Sequence, residues 1–269
     1  MEKTYVITGS TSGIGKELVN LFSKQGKVFA GYRDKTKLPE EFSANIDYFY
    51  IDMNDDKSII EASNYIKSKT DKIDTLINVA GCVIAGPIEN ISVQRLREQF
   101  NINTFSHLLL AQNLIQALSG GKIINISSMS SFGIFPFISP YCASKRALDI
   151  FFNNFAIENH NDIKVISVKP GVISTPIWEK SVNCNMKYFD QCPKYSNELE
   201  FLKNNALKNT SKGLQIEKVA QKIYQIDSMK NPKSSYTIGK DAKISEIISH
   251  LPQDIINSLI KFGLKCRMK

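Results

Sequence analysis

No run of apolar residues in this sequence comes near the ~18 needed to cross a bilayer. The N-terminus also lacks the charged and apolar regions of a secretory signal, since Thr4-Tyr5-Val6-Ile7 reads directly as a strand. A cytoplasmic location is the expectation. Cysteine is sparse and unpatterned. Cys82, Cys142, Cys184, Cys192 and Cys266 are odd in number and form no Cys-x-x-Cys pair, so they read as reduced thiols, not as a disulfide framework or zinc site. No metal is expected. Internal repeats, low-complexity stretches and linkers are missing as well, which leaves residues 1–269 as one expected domain.

Nucleic-acid signatures are absent too, although the formal net charge is +8. From Lys203 to the end there are 13 Lys/Arg against 5 Asp/Glu, a surplus of 8, so the first 202 residues are neutral overall. A basic tail on a neutral body suits an acidic partner or anionic lipid, or is simply a solvated lysine-rich face. Binding of nucleic acid is not expected.

What is present is ordinary for a globular chain: 42% of residues are apolar and 22% charged. Short β-branched runs alternate with longer helical patterns. The candidate strands are Thr4–Thr8, Val28–Tyr32, Tyr48–Ile51, Thr75–Asn78, Lys122–Ser127, Lys164–Lys169 and Ser235–Ile238. Each crossover is long enough for parallel pairing, and buried parallel strands are mostly apolar, as several of these are. The fold class expected is α/β, a doubly wound, mostly parallel seven-stranded sheet with helices on both faces.

After the first strand comes Thr8-Gly9-Ser10-Thr11-Ser12-Gly13-Ile14-Gly15, followed by a helical pattern. Glycines at 9, 13 and 15 permit a tight turn and a close approach of backbone to a pyrophosphate, with the helix N-terminus facing the anion. The second strand ends in Tyr32-Arg33-Asp34-Lys35. Dinucleotide folds place there a carboxylate for the ribose hydroxyls or an Arg for a 2′-phosphate. Arg33 favours NADP(H); Asp34, one place later, keeps NAD(H) open. Tyr141 and Lys145 lie one turn apart if their segment is helical, and a fixed ammonium would lower the phenol's pKa from near 10.

Tyr141-x-x-x-Lys145, the glycine turn, Asn78-Val79-Ala80-Gly81, Ser127-Ser128 and Pro170-Gly171-Val172-Ile173-Ser174-Thr175 stand in order along nearly the whole chain. Together they resemble the short-chain dehydrogenase/reductase family, whose fold is of Rossmann type. The Tyr-Cys-Ala-Ser-Lys form and the Ser235–Gly239 tail resemble its 17β-hydroxysteroid and retinol dehydrogenase branch. The resemblance implies an oxidoreductase interconverting a carbonyl and an alcohol on a small, hydrophobic, steroid-, retinoid- or lipid-like substrate. It implies Tyr141 as the proton donor or acceptor and Lys145 as the group that lowers its pKa and holds the nicotinamide ribose. Ser128, with Ser127 as alternative, would bind the substrate oxygen, and Asn103 would position a water in the proton relay.

The cofactor contacts implied are Gly9, Ser10, Ser12, Gly13, Ile14, Gly15, Arg33, Asp52 at the adenine, Asn78, Ala80, Gly81, Tyr141, Lys145, Pro170, Gly171, Val172 and Thr175. Val79 departs from the family's usual Asn-Asn-Ala-Gly, which puts any contact by that second side chain in doubt. A homo-oligomer, dimer or tetramer, is implied as well. A sensor or scaffold without turnover is the rival reading, and it would be expected to lack the Ser/Tyr/Lys set.

Two segments lie outside these motifs. Residues 174–212 carry Trp178, Met186, Tyr188, Phe189 and Tyr195 without a clean period and read as an irregular lid over an apolar substrate. Residues 241–269 read as a basic helical segment in which Pro252 starts a new helix. It is suited to core or interface packing, or to peripheral membrane contact.

Overall fold

The computed structural model describes residues 2–41 and 43–267, with side chains described as far as residue 264. Seven parallel strands form one sheet in the order β3-β2-β1-β4-β5-β6-β7. They are β1 (Lys3–Ile7), β2 (Gly26–Tyr32), β3 (Ile46–Tyr50), β4 (Thr75–Asn78), β5 (Lys122–Ile126), β6 (Lys164–Pro170) and β7 (Ser235–Ile238). The order reverses between β1 and β4, so the loops leaving those two strands diverge and open a crevice at the carboxyl edge.

Period-2 alternation divides the core in two. β1 sends Tyr5 and Ile7 to one face, where they meet Leu18, Phe22, Val219 and Ile223 of helices α1 (Gly13–Phe22) and α8 (Ile216–Ser228). Val6 points the other way, to Ile59, Ile66, Leu110, Leu148 and Phe152 of α2 (Asp56–Lys69), α4 (Ser106–Leu114) and α5 (Ser139–Glu158). Each such fully buried side chain contributes roughly 1.5–3 kcal/mol. Helix starts follow local chemistry. Asp55 accepts from Lys57 N at α2, and Ser92 accepts from Arg95 N at α3 (Val93–Phe100).

One expectation needs correction. Residues 174–212 are not irregular; they fold into α6 (Ile177–Phe189) and α7 (Ser196–Lys212). The inward stripe of α6 is spaced as a helix requires, but Asn185 occupies one of its buried positions and breaks the apolar pattern. The helical run after Asn101 contains an irregularity. A π turn, Asn101–Phe105, precedes α4, and the Ser106 N–H reaches back five residues to the Asn101 carbonyl.

The C-terminal segment forms α9 (Lys240–Ile248) and α10 (Gln253–Arg267), and the Pro252 carbonyl accepts from Ile255 and Ile256 N–H. Ile244, Ile247, Leu251, Ile255, Leu259 and Phe262 are exposed there. Lys269 and the side chains of Lys265, Cys266 and Arg267 lie outside the described residues. Cys82, Cys142, Cys184 and Cys192 are free thiols. Among the described residues no helix is long and apolar enough to cross a membrane, and no His/Cys/Asp/Glu cluster could hold a metal ion.

Candidate active site

At the crevice the glycine turn is held open from below. Gly9 (φ +65°) lies against the Ala80 backbone, and a Cβ on Gly15 would overlap the Gly9 carbonyl. The Thr8 hydroxyl accepts from Val79 N (3.0 Å) and Ala80 N (3.2 Å), tying this turn to the loop after β4. Ser10 turns inward and donates to the Gly31 carbonyl at 2.8 Å, while Ser12 leaves its hydroxyl free of any capping bond at the start of α1. With no acidic residue in the first turn of α1, its N–H groups and dipole have no internal counter-charge. That arrangement suits a dinucleotide pyrophosphate over Ser12, Gly13 and Ile14.

Where β2 ends, Arg33 is exposed, and no carboxylate pairs with it among the described residues. Asp34 is committed elsewhere. Its carboxylate meets Lys37 Nζ at 2.6 Å and accepts from Thr36, contacts that hold its pKa down to about 2. Asp52, after β3, accepts from Asn54 N at 2.9 Å and lies off the cavity.

Beyond Asn78 the chain leaves the sheet, and three buried carboxamides replace the missing ladder. Gln99 accepts from Ile84 N (2.7 Å) and donates to Cys82 O (2.9 Å). Asn103 accepts from Cys82 N (2.9 Å) and donates to Cys82 O and to Ser144 Oγ. Asn185, from α6, accepts from Ala85 N (3.0 Å) and donates to Val83 O (2.9 Å). Each is fully buried, so each bond made spares an orphaned backbone group. Asn78 itself donates to Asn125 on β5 at 2.8 Å, and Val79 packs into the core face and lines the cavity. His107 Nε2 donates to Ala80 O (3.0 Å); burial and the nearby Lys145 charge push its pKa down to about 3. Gln99, His107 and Asn185 carried no motif in the sequence.

Tyr141, Lys145 and Asp149 are spaced four residues apart on α5 and so share one face. The Ser128 hydroxyl hydrogen-bonds Tyr141 and also accepts from Ser130 N at 3.1 Å. Ser127 Oγ, by contrast, is buried without a partner. Lys145 donates to the Ile126 carbonyl at 2.8 Å, and burial lowers its pKa to about 8, opposed by Asp149 and Cys82. The expected lowering of the phenol does not occur in the free protein. Burial raises Tyr141 to about 12, and the Ser128 hydrogen bond is what works against it.

A cavity of about 350 Å3 opens above this group. Its floor includes Ser128, Tyr141, Lys145 and the Pro170–Val172 loop, and its apolar walls include Val83, Ile138, Trp178, Val182, Phe189 and Leu202. Thr175 is buried and faces Gly13 across the cradle. The Val172 N–H, an expected nicotinamide contact, is taken by Asp241 Oδ2 at 2.8 Å. Trp178 Nε1 donates to Ile173 O at 2.7 Å, fixing the first turn of α6.

Comparison with known proteins gives a family-model match, described as short chain dehydrogenase, over residues 3–185. The NADPH-dependent 3-dehydrocapnine reductase of Ornithobacterium rhinotracheale is 29% identical, the alignment covering 97% of this chain and 96% of the relative. The 3-ketodihydrosphingosine reductase of Bacteroides thetaiotaomicron is 32% identical over 63% of this chain and 64% of its own. A short chain dehydrogenase from Burkholderia cenocepacia, solved in complex with NADP, superposes with a TM-score of 0.72 at 22% identity, covering 99% of this chain and 97% of that one.

Proposed function

Because the chain belongs to the short chain dehydrogenase family, and is thus an oxidoreductase with a fold that binds NAD(P), we propose that it reduces a ketone or aldehyde on an apolar, lipid-like body with NADPH. The observation that carries this reading is the Tyr141 hydroxyl, bonded to Ser128 at the floor of a cavity walled by apolar side chains. The glycine cradle and the uncapped start of α1 fit the cofactor. The bound nicotinamide supplies the hydride.

The chain's own residues handle the oxygen. Tyr141 donates its proton to the carbonyl oxygen; burial keeps the phenol protonated, and its donation therefore depends on neighbouring groups that stabilise the phenolate. Ser128 hydrogen-bonds the same oxygen. Lys145 binds the nicotinamide ribose, and its positive charge favours the phenolate left behind. Asn103 locks the Cys82 backbone and so positions the proton relay beside Lys145. The apolar walls exclude water and hold the substrate body. α6 and α7 act as its lid, and the whole chain works as one catalytic domain.

Cofactor preference rests on the pairing of charges after β2. Arg33 is free for a 2′-phosphate, whereas Asp34 is held by Lys37 and Thr36. The NADPH named for the Ornithobacterium relative and the NADP in the Burkholderia structure support the same choice. The substrates in the names of the two relatives support a lipid-like ketone over a steroid or retinoid.

Exposed Phe105, Ile150, Phe151 and Ile157 support assembly into a homo-oligomer. The exposed aliphatics of α9 and α10, with Lys240, Lys243 and Lys261, support peripheral contact with an anionic membrane. Co-sedimentation with anionic vesicles would be lost on changing Ile247, Leu259 and Phe262 to serine; unchanged partitioning rejects the contact.

A panel of long-chain ketones and aldehydes, followed by NADPH and NADH absorbance, tests the main reading. Turnover with NADPH is expected, and Tyr141→Phe is expected to lower kcat roughly 10²–10⁴-fold. Equal turnover by that variant would remove Tyr141 as proton donor.

A further inference from the structure

Lys180, on the second turn of α6, places its Nζ 3.2 Å from the Ser12 hydroxyl. The two residues are 168 positions apart in sequence, and Ser12 belongs to the phosphate cradle. Their approach is built in. Thr175 and Pro176 pack over Gly13, with the Thr175 side chain 3.7 Å from where a Gly13 Cβ would stand, and α6 starts directly afterwards. The Lys180 N–H is bonded to the Pro176 carbonyl at 3.0 Å, which fixes the lysine one turn above that contact. α6 therefore has two working sides. Val182, Asn185 and Phe189 face the substrate cavity and the loop after β4, while Lys180 crosses to the cradle.

The charges around this lysine are unbalanced. Partial desolvation, Lys37 and Arg33 all hold its pKa below the ordinary lysine value. Asp34 alone opposes them, and its carboxylate is already paired with Lys37. Among the described residues no carboxylate lies within ion-pairing distance of Lys180 or Arg33. Cations brought together over a helix N-terminus repel one another and the dipole unless an anion joins them.

We infer that Lys180 is a ligand for the pyrophosphate of the bound dinucleotide, carried on the lid, so that occupancy of the cradle fastens α6 over the substrate cavity. The inference rests on the cofactor reading above. The anion bridges the Ser12 hydroxyl, the α1 N–H groups and the lid ammonium. Arg33, which reaches the 2′-phosphate, makes no such link to α6. Lid docking and phosphate affinity are then two readings of one interaction, and each strengthens the other.

Calorimetric titration of the full chain with NADPH and with NADH, beside limited proteolysis within residues 174–212, tests this. Lys180→Met keeps the aliphatic stem and removes the charge. It is expected to weaken both dinucleotides by the same factor, about tenfold, and Lys180→Arg is expected to restore most of the loss. NADPH should protect the lid of the parent from protease, and saturating NADPH should protect that of Lys180→Met far less. Unchanged affinities, a loss confined to NADPH, or full protection of the methionine variant would each overturn the inference. A parent chain that binds neither dinucleotide would instead defeat the cofactor reading, and Arg33→Ala, affecting NADPH alone, tests that reading separately.

Discussion

The Lys169 ammonium stands 3.4 Å from the Asp149 carboxylate, with Asp149 one helical turn beyond Lys145 on the same face of α5. Both partners are nearly buried, and Lys169 also lies over the Phe132 ring at 4.8 Å. Asp149 therefore serves two cations. It pairs with Lys169 from β6 and opposes the desolvation that pulls Lys145 down to about 8.

Reduction is accordingly expected to need Lys145 protonated. A lowered lysine value means that the ammonium is present below about pH 8 and lost as pH rises through it. The pH profile of kcat/KM should fall on its alkaline side near 8. Asp149→Asn removes the group that raises Lys145, so that limb should move to lower pH. A limb that stays in place in the variant would show that another group governs it.

His107 yields a stability prediction of definite sign. It is held neutral by burial, with a folded pKa near 3 against an ordinary value of 6.5. The unfolded chain therefore binds a proton that the folded chain refuses. Stability from this site is complete above pH 6.5 and declines as pH falls, by about 1.4 kcal/mol per unit. His107→Gln, which keeps a donor for Ala80 O, should flatten the slope between pH 6.5 and 4 in denaturant titrations. An unaltered slope would assign it to other groups.

Arg33→Ala should raise the KM for NADPH roughly 10- to 100-fold, the loss expected for hydrogen bonds to a charged group. The KM for NADH should change by about twofold or less. Equal effects on the two cofactors would remove the 2′-phosphate role from this residue.

Asn185→Ala would strand the buried Ala85 N, leave Val83 O with the Ser181 hydroxyl alone, and take from Arg95 its acceptor. A cost of roughly 1–3 kcal/mol in unfolding free energy is expected, together with a raised KM for the carbonyl substrate. Unfolding and kinetics separate the two effects, and an unchanged KM would show that α6 docks without it.

The strands were legible because buried parallel strands are short apolar runs, and turn residues bound each of them. The Tyr141/Lys145 spacing and the glycine turn were legible because each is a local pattern, whereas Asn103 came only with the family resemblance. What escaped notice depends on partners distant in sequence. Asp241 meets Val172 across 69 positions, and nothing near either residue announces the bond. Asn185 had the further handicap of looking like a surface residue. A polar side chain in the inward stripe disguised α6 as a loop, although the burial of that amide is what seats the helix. The π turn was equally hidden, since its sequence contains no breaker to mark it.

The seat of α6 has a consequence for how such a pocket can change. Besides its bonds to Arg95 and Ser181, Asn185 meets positions 83 and 85 through their main chain alone, so it is indifferent to which side chains those two positions display. Substitutions at Val83, Val182, Phe189 or Leu202 can redraw the cavity wall while the hinge between lid and sheet stays as it is. Selectivity and attachment are thereby assigned to separate atoms. A library confined to the wall positions should alter which carbonyl compounds are accepted without uncoupling the enzyme from its cofactor.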